Sequence, residues 1–466
     1  MGGGRLMCGV FGVRSEARDV ARLAYFGLFA LQHRGQESAG IAVSQGGRIT
    51  TVRDMGLVAR VFDEEKLQAL PGEIAIGHTR YSTTGSARWQ NAQPVLHQGP
   101  VRTVALGHNG NLTNAASLRA ELRGAGVPIP STSDTEAIAA LVARAEGPLP
   151  DAVAATMARL EGAYSVVAVA EETLVAFRDP HGIRPLELGR IGEDWVVASE
   201  SCALDLVGAE TVRSVQPGEL VWVDASGLHA AQALPAARPA LCVFEHVYFA
   251  RPDSHVGGVA VHAARVRMGR RLAREAPVAA DVVMAIPDSG TPAAIGFARE
   301  SGVPFEEGLI KNRYVGRTFI QPDQELRRQG IRLKFNPLDE IAGRRVVIVD
   351  DSIVRGNTMR QLVAMLFDAG AREVHVRISS PPVVSPCFYG IDMADEDELV
   401  AAHRSVEEMR AQIGATSLHY LSVEGMQEAV GLPEQAVCRA CFTREYPAAL
   451  PAESAPEKLR FEPVGA

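Results

Sequence analysis

The clearest pattern along the chain is a run of four β-branched residues at 346–349, followed at once by Asp350, Asp351 and a loop rich in hydroxyl, amide and glycine groups. Four apolar residues without alternation predict a strand buried on both faces of a parallel sheet. From Met359 the period becomes helical: Met359, Leu362, Val363, Leu366 and Phe367 share one face, and Gly370 is placed to cap it. The same grammar fills the region after residue 240. A helix is predicted over 261–275, a strand over 282–286, a turn over 287–290, a helix over 292–301 and a further strand over 373–379. Strands alternating with helices imply a doubly wound α/β domain with a parallel sheet and ligands at the strand C-termini. The run 395–398 reads as a solvated helix start.

The first half has a different pattern. Short β-like runs fall at 9–13, 40–43, 74–76, 103–106, 164–169, 174–177 and 195–198, with helical patterns at 21–32, 115–124, 134–145 and 151–160. Runs of strands with paired helices predict a layered α+β domain with sheet packed on sheet. An Ala/Pro-rich stretch over 228–239 reads as a linker. The expected division is therefore residues 8–230, a linker at 231–240, a second domain at 241–447 and a tail at 448–466, Pro, Ala and Glu rich and expected to be partly disordered.

Composition narrows the classes. The chain has 466 residues, 47% of them hydrophobic and 22% charged, with a formal net charge of −8. An acidic balance argues against a nucleic-acid partner, which calls for a basic face. No apolar stretch reaches the roughly 18 residues needed to cross a bilayer, and residues 1–7 lack the apolar core of a secretory signal. A soluble, cytoplasmic protein with no membrane partner is expected. Its six cysteines do not make a disulfide framework in a reducing compartment.

The strand, donor-rich loop and helix start at 345–358 form an anion cradle, because free backbone N–H groups and the helix dipole both face the loop. Two carboxylates cannot hold a phosphate, but they suit its neighbours: ribose hydroxyls, or a Mg²⁺ shared with a pyrophosphate. The bland alternative is an ordinary strand-to-helix turn with a capping Asp. The glycine–lysine pair of a nucleoside-triphosphatase loop is missing. The segment resembles the 5-phosphoribosyl-1-pyrophosphate (PRPP) site of type I phosphoribosyltransferases.

Near the other end, Cys8-Gly9-Val10-Phe11-Gly12 puts a thiol at the head of a strand. Downstream follow 31–40 (Leu-Gln-His-Arg-Gly-Gln-Glu-Ser-Ala-Gly), 77–83 (Gly-His-Thr-Arg-Tyr-Ser-Thr), 107–112 (Gly-His-Asn-Gly-Asn-Leu) and 133–136 (Ser-Asp-Thr-Glu). The ordered set resembles the N-terminal-nucleophile (Ntn) glutaminase domain of class II glutamine amidotransferases, a four-layer αββα fold. The resemblance implies that Cys8 attacks the glutamine amide after its own α-amino group, pKa ~7.7–8.0 in model compounds, has taken the thiol proton. It further implies that Asn109 and Gly110 hold the oxyanion, that Arg80 pairs with the α-carboxylate of glutamine and that Asp134 accepts from its α-ammonium. His33, His78 and His108 are read as structural. A free amine on Cys8 requires residues 1–7 to be absent, either as a cleaved propeptide or because translation starts at Met7.

Cys438-Arg439-Ala440-Cys441 is a lone CxxC pair, which could be zinc, redox or coincidence. With Cys242 and Cys387 it makes four thiols of dispersed spacing, suited to a [4Fe–4S] cluster or to a Cys₄ zinc site. Cys202 matches no motif and reads as a core thiol.

From Cys8 to about Tyr446 the chain resembles the iron–sulfur branch of the glutamine PRPP amidotransferases. Further matches lie at 248–254, at 286–290 and in the cationic stretch 311–322, which in that family closes over PRPP. The resemblance implies ammonia release by Cys8 and displacement of pyrophosphate from PRPP. It assigns Asp350, Asp351, Ser352, Arg355, Gly356, Asn357, Thr358, Lys311 and Arg317 to PRPP, and Ser289, Asp350 and Asp351 to Mg²⁺. The cluster ligands would be Cys242, Cys387, Cys438 and Cys441, in a structural and oxygen-sensing role. Asn357 departs from the family, where Thr is commoner, but it still donates to phosphate. Inhibitory purine nucleotides and a homotetramer are also implied. A sugar-phosphate aminating synthase would lack the 350–358 loop, and a PRPP-sensing transcription regulator would need a basic element and have no use for Cys8.

Overall fold

The computed structural model describes residues 7–82, 85–312, 331–393 and 395–450. Two antiparallel sheets organise the first half. In spatial order the seven-stranded sheet runs Glu210–Ser214, Glu187–Ile191, Asp194–Ala198, Gly9–Arg14, Ile74–Arg80, Ser38–Gln45, Arg48–Met55. The six-stranded sheet runs Gly227–Gln232, Glu219–Asp224, Thr173–Arg178, Gly162–Ala170, Thr103–Leu112, Val95–Gln98. Alternate residues of a strand face opposite ways. Val10 therefore enters the layer between the sheets with Ile76, Ala105, Val167 and Leu174, while Phe11 and Val13 pack outward with the helix Val20–Ala30. Helices Ala115–Gly124, Thr135–Arg144 and Leu149–Met157 cover the outer face of the six-stranded sheet. The result is helix, sheet, sheet, helix, the four layers expected of an Ntn domain.

The second half is a four-stranded parallel sheet in the order Val282–Ala285, Arg345–Asp350, Glu373–Ile378, Ser417–Tyr420. Val347 and Val349 face helices Val261–Glu275 and Thr291–Ser301, whereas Val346 and Ile348 face helices Asn357–Asp368 and Val406–Ile413. Both faces of the central strand are thus covered, which is why its sequence is apolar without alternation.

Some expectations shift. The strand foreseen at 103–106 runs on to Leu112, because the polar residues His108 and Asn109 stay buried in it rather than ending it. The Ala/Pro-rich stretch from 228 begins inside the edge strand Gly227–Gln232, closed on Glu219–Asp224 by a turn in which Gly227 has φ +115°. On the helix Asn357–Asp368, Phe367 is exposed and Met365 is buried in its place. The tail is pinned at its start, where Ala448 and the Tyr389 hydroxyl exchange hydrogen bonds; residues 451–466 lie outside the described residues. One apolar cluster joins the halves, with Met7, Ala163 and Ile183 from the first and Phe244, Phe388, Tyr389 and Phe442 from the second. Among the described residues no helix is long and apolar enough to cross a membrane.

Candidate functional site

The register Gly9↔Thr79 between the strands Gly9–Arg14 and Ile74–Arg80 sets Cys8 alongside the end of the arginine-bearing strand. Cys8 is buried, and its thiol donates to the Tyr81 carbonyl at 3.5 Å. Burial pushes the thiol up to about 11; the Tyr81 contact and the Arg80 charge pull it down, while Glu37 and Asp134 add to the rise. Those three charged groups are therefore its electrostatic neighbours. Arg80 is held ready by the Ser86 and Gly85 carbonyls at 3.0 and 3.4 Å and lies 3.6 Å from Glu37.

The second sheet supplies the rest. Asn109 is fully buried, and among the described residues its side-chain amide has no hydrogen-bond partner on either nitrogen or oxygen. An unsatisfied buried amide costs roughly 1–3 kcal/mol, so a group kept in that state points to a ligand. Gly110 follows at φ +149°, where a Cβ would stand 2.0 Å from the Ala163 carbonyl oxygen. Asp134 accepts from the Leu112 N–H at 3.0 Å. Burial opposes its charge, but His108 and the Leu112 and Thr135 amides prevail and hold it below the usual carboxylate range. His78, pushed down to about 3 by burial, donates across the two sheets to the His108 carbonyl at 3.0 Å. It is a neutral strut between the two sheets.

Sequence reasoning missed a buried ion network behind the thiol. Arg34 donates its Nε–H to the Cys8 carbonyl at 3.0 Å and pairs with Glu200 and, bidentately, with Glu245. All three side chains are fully buried. His33, too, bonds Glu200, at 2.7 Å. Glu245 comes from the second half, so one counter-ion of the residue behind Cys8 belongs to the other domain. Arg34 lies in the 31–40 motif, which was the available signal; nothing in the sequence marked Glu245.

In the parallel sheet, Asp350 and Asp351 stand at the C-terminus of the central strand, and Gly356, at φ +74°, turns the chain into the helix that starts at Asn357. Ser352 bonds Asp351 and Arg355 pairs with Glu398. The neighbouring turn carries Ser289, with a cis Pro287–Asp288 peptide, and packs so closely that a Cβ on Gly290 would lie 2.4 Å from the Val349 carbonyl oxygen. Lys311 reaches Asp288 at 2.6 Å. Both loops open at the ends of adjacent parallel strands, where α/β sheets bind ligands. Arg317 lies outside the described residues.

The four motif cysteines gather at the domain boundary. Cys242 and Cys438 are register partners in a short parallel pair, Arg184 approaches the Cys387 sulfur at 3.9 Å, and Cys441 packs in the same apolar cluster. Among the described residues, none of the four forms a disulfide. Burial raises Cys242 to about 11 and moves Cys438 higher still; Cys387 adds to both rises and Cys242 to that of Cys438. Among the described residues no three His, Cys, Asp or Glu side chains stand as a ligating set. Cys202 is buried 3.7 Å from Glu200, outside this group.

Comparison with known proteins finds a match in each half. A family model described as a glutamine amidotransferase domain matches residues 78–206, and one described as a phosphoribosyl transferase domain matches 262–379. Amidophosphoribosyltransferase from Mycobacterium tuberculosis is 54% identical over 96% of this chain and 88% of the relative. The enzyme of that name from Archaeoglobus fulgidus is 49% identical over 96% of this chain and 99% of its own length. Glutamine PRPP amidotransferase from B. subtilis, solved with ADP and GMP, superposes with a TM-score of 0.90 at 45% identity, covering 96% of this chain and 99% of that one. The chain belongs to the amidophosphoribosyltransferases, the enzymes that make 5-phosphoribosylamine, glutamate and pyrophosphate from glutamine, PRPP and water in the first step of purine biosynthesis.

Proposed function

We propose that the two half-reactions run at the two sites just described, with Cys8 as the nucleophile of the first. Freed of the residues before it, its α-amine takes the thiol proton; the sulfur bonds to the amide carbon of glutamine, and the carbonyl electron pair moves onto oxygen. Asn109 and Gly110 stabilise that oxyanion. Collapse expels ammonia, which leaves with the proton, and water then releases glutamate from the thioester. Arg80 and Asp134 hold the two charged ends of the amino acid. The observation that carries this reading is the Asn109 amide, buried and without a partner among the described residues, where one strand pair brings Cys8 and Arg80 together and Asp134 joins them from the start of helix Thr135–Arg144.

At the second site ammonia displaces pyrophosphate from C1 of PRPP. The Ser352, Arg355, Gly356, Asn357 and Thr358 loop cradles the 5′-phosphate at a helix start, and Asp350 and Asp351 meet the ribose. Asp350, Asp351 and Ser289 would hold Mg²⁺, which neutralises the leaving pyrophosphate when bound; adjacent carboxylates at a strand end fit such an ion. Lys311 and Arg317 complete a cationic cover. Cys242, Cys387, Cys438 and Cys441 would be the ligands of a [4Fe–4S] cluster, a reading supported by their gathering at one apolar boundary, and such a group would tie chain segments together. Purine nucleotides as inhibitors and a homotetrameric assembly belong to the same proposal.

Cys8→Ala tests the core of it. Glutamine-dependent synthesis should vanish while ammonia-dependent synthesis persists. Loss of both from a folded variant, or survival of the glutamine reaction, refutes the assignment.

A further inference from the structure

We infer that the synthase half completes the oxyanion hole of the glutaminase half, with Gly390 as the positioning residue. The inference rests on the role proposed above for Asn109 and Gly110. Residues 388–392 cross the domain boundary and lie directly on the strand that carries both. The Asn111 side-chain N–H donates to the Phe388 carbonyl at 3.0 Å. Two residues on, Gly390 sits at φ +99° with its Cα face against the Gly110 peptide. A Cβ there would lie 2.7 Å from the Gly110 carbonyl carbon, 2.8 Å from its oxygen and 2.9 Å from its Cα. Gly110 cannot retreat, because its own open side is filled by the Ala163 carbonyl of the paired strand.

The strap is itself rigidly held. The Tyr389 carbonyl accepts two N–H groups from Arg184, at 2.7 and 2.5 Å, and Arg184 is fully buried beside Glu245. Oxyanion stabilisation depends on donors placed within a few tenths of an ångström before charge develops. A glycine stacked on a glycine transmits position without any side chain that could give way. The first half therefore contributes the donors, and the second half fixes where they point.

Gly390→Ala in the full-length protein reads this out. Displacing an oxyanion donor without removing it should lower kcat for glutamine hydrolysis about 10- to 100-fold, less than the roughly 10²- to 10³-fold loss when such a donor is removed outright. The KM for glutamine, the rate of Cys8 alkylation by iodoacetamide and ammonia-dependent synthesis should each stay within about threefold, since none requires the oxyanion hole. Unchanged kcat overturns the inference, as does a parallel fall in ammonia-dependent synthesis, which would mark Gly390 as merely structural. A rise in KM with kcat preserved also overturns it. If Gly390→Ala fails to fold, Asn111→Ala, which removes the hydrogen bond without adding bulk, decides by the same readouts, with an expected loss of about 3- to 10-fold in kcat; normal kcat there counts against the strap. Failure of the underlying site reading would show separately, as glutamine-dependent synthesis surviving in Cys8→Ala.

Discussion

Burial that pushes the Cys8 thiol up to about 11 leaves, near pH 7.5, a thiolate fraction on the order of 10⁻³–10⁻⁴. With residues still joined to its nitrogen, Cys8 has an amide there, which is no base. Iodoacetamide alkylation of such protein should be slow at neutral pH and climb about tenfold per pH unit toward 11. Protein whose chain starts at Cys8 should alkylate faster near pH 8, with mass spectrometry reporting both the first residue and the adduct. Equal rates in the two forms would remove the α-amine from the mechanism. Arg34 offers a second test at this scale. Arg34→Gln removes the cation that Glu200 and Glu245 share, and breaking a buried pair costs about 3–5 kcal/mol. Chemical denaturation should detect a loss of that size.

At the scale of elements, the central strand and its loop carry the proposed second site. Asp350→Asn with Asp351→Asn should abolish synthesis from glutamine and from ammonia alike, and wild-type PRPP affinity by calorimetry would refute the assignment. These elements were legible because a strand buried on both faces has no alternation to confuse, and because a carboxylate pair before a glycine turn has few other uses. Cys8, Arg80, Asn109 and Asp134 were singled out through ordered motifs rather than periodicity. The rest was hidden for physical reasons. The strand Thr103–Leu112 looks broken at His108 and Asn109, since buried polar residues mimic a loop. Edge strands such as Gly227–Gln232 bury little and carry a weak apolar signal. Glu245 and Gly390 act through contacts with residues more than 200 positions away, and pairings of that range leave no local trace. Arg317 and the stretch around it lie outside the described residues.

For the whole molecule, the domain boundary is where the two activities meet. The Arg34–Glu245 pair, the 388–392 strap and the four cysteines all lie along it. Cys438→Ser should weaken this boundary, because a group held by widely separated thiols contributes directly to folding. Insoluble or rapidly degraded protein is expected rather than a slow enzyme. Iron and sulfide analysis of anaerobically purified wild type should give about four of each per chain, whereas zinc without sulfide would show a Cys₄ metal site instead. The central claim is that nitrogen released at Cys8 is consumed at Asp350 and Asp351. Its most direct test is to measure glutamate and pyrophosphate together as the enzyme turns over glutamine and PRPP. Equal amounts of the two, with pyrophosphate release dependent on a nitrogen source, are predicted; glutamate accumulating without matching pyrophosphate would contradict the coupling of the two sites.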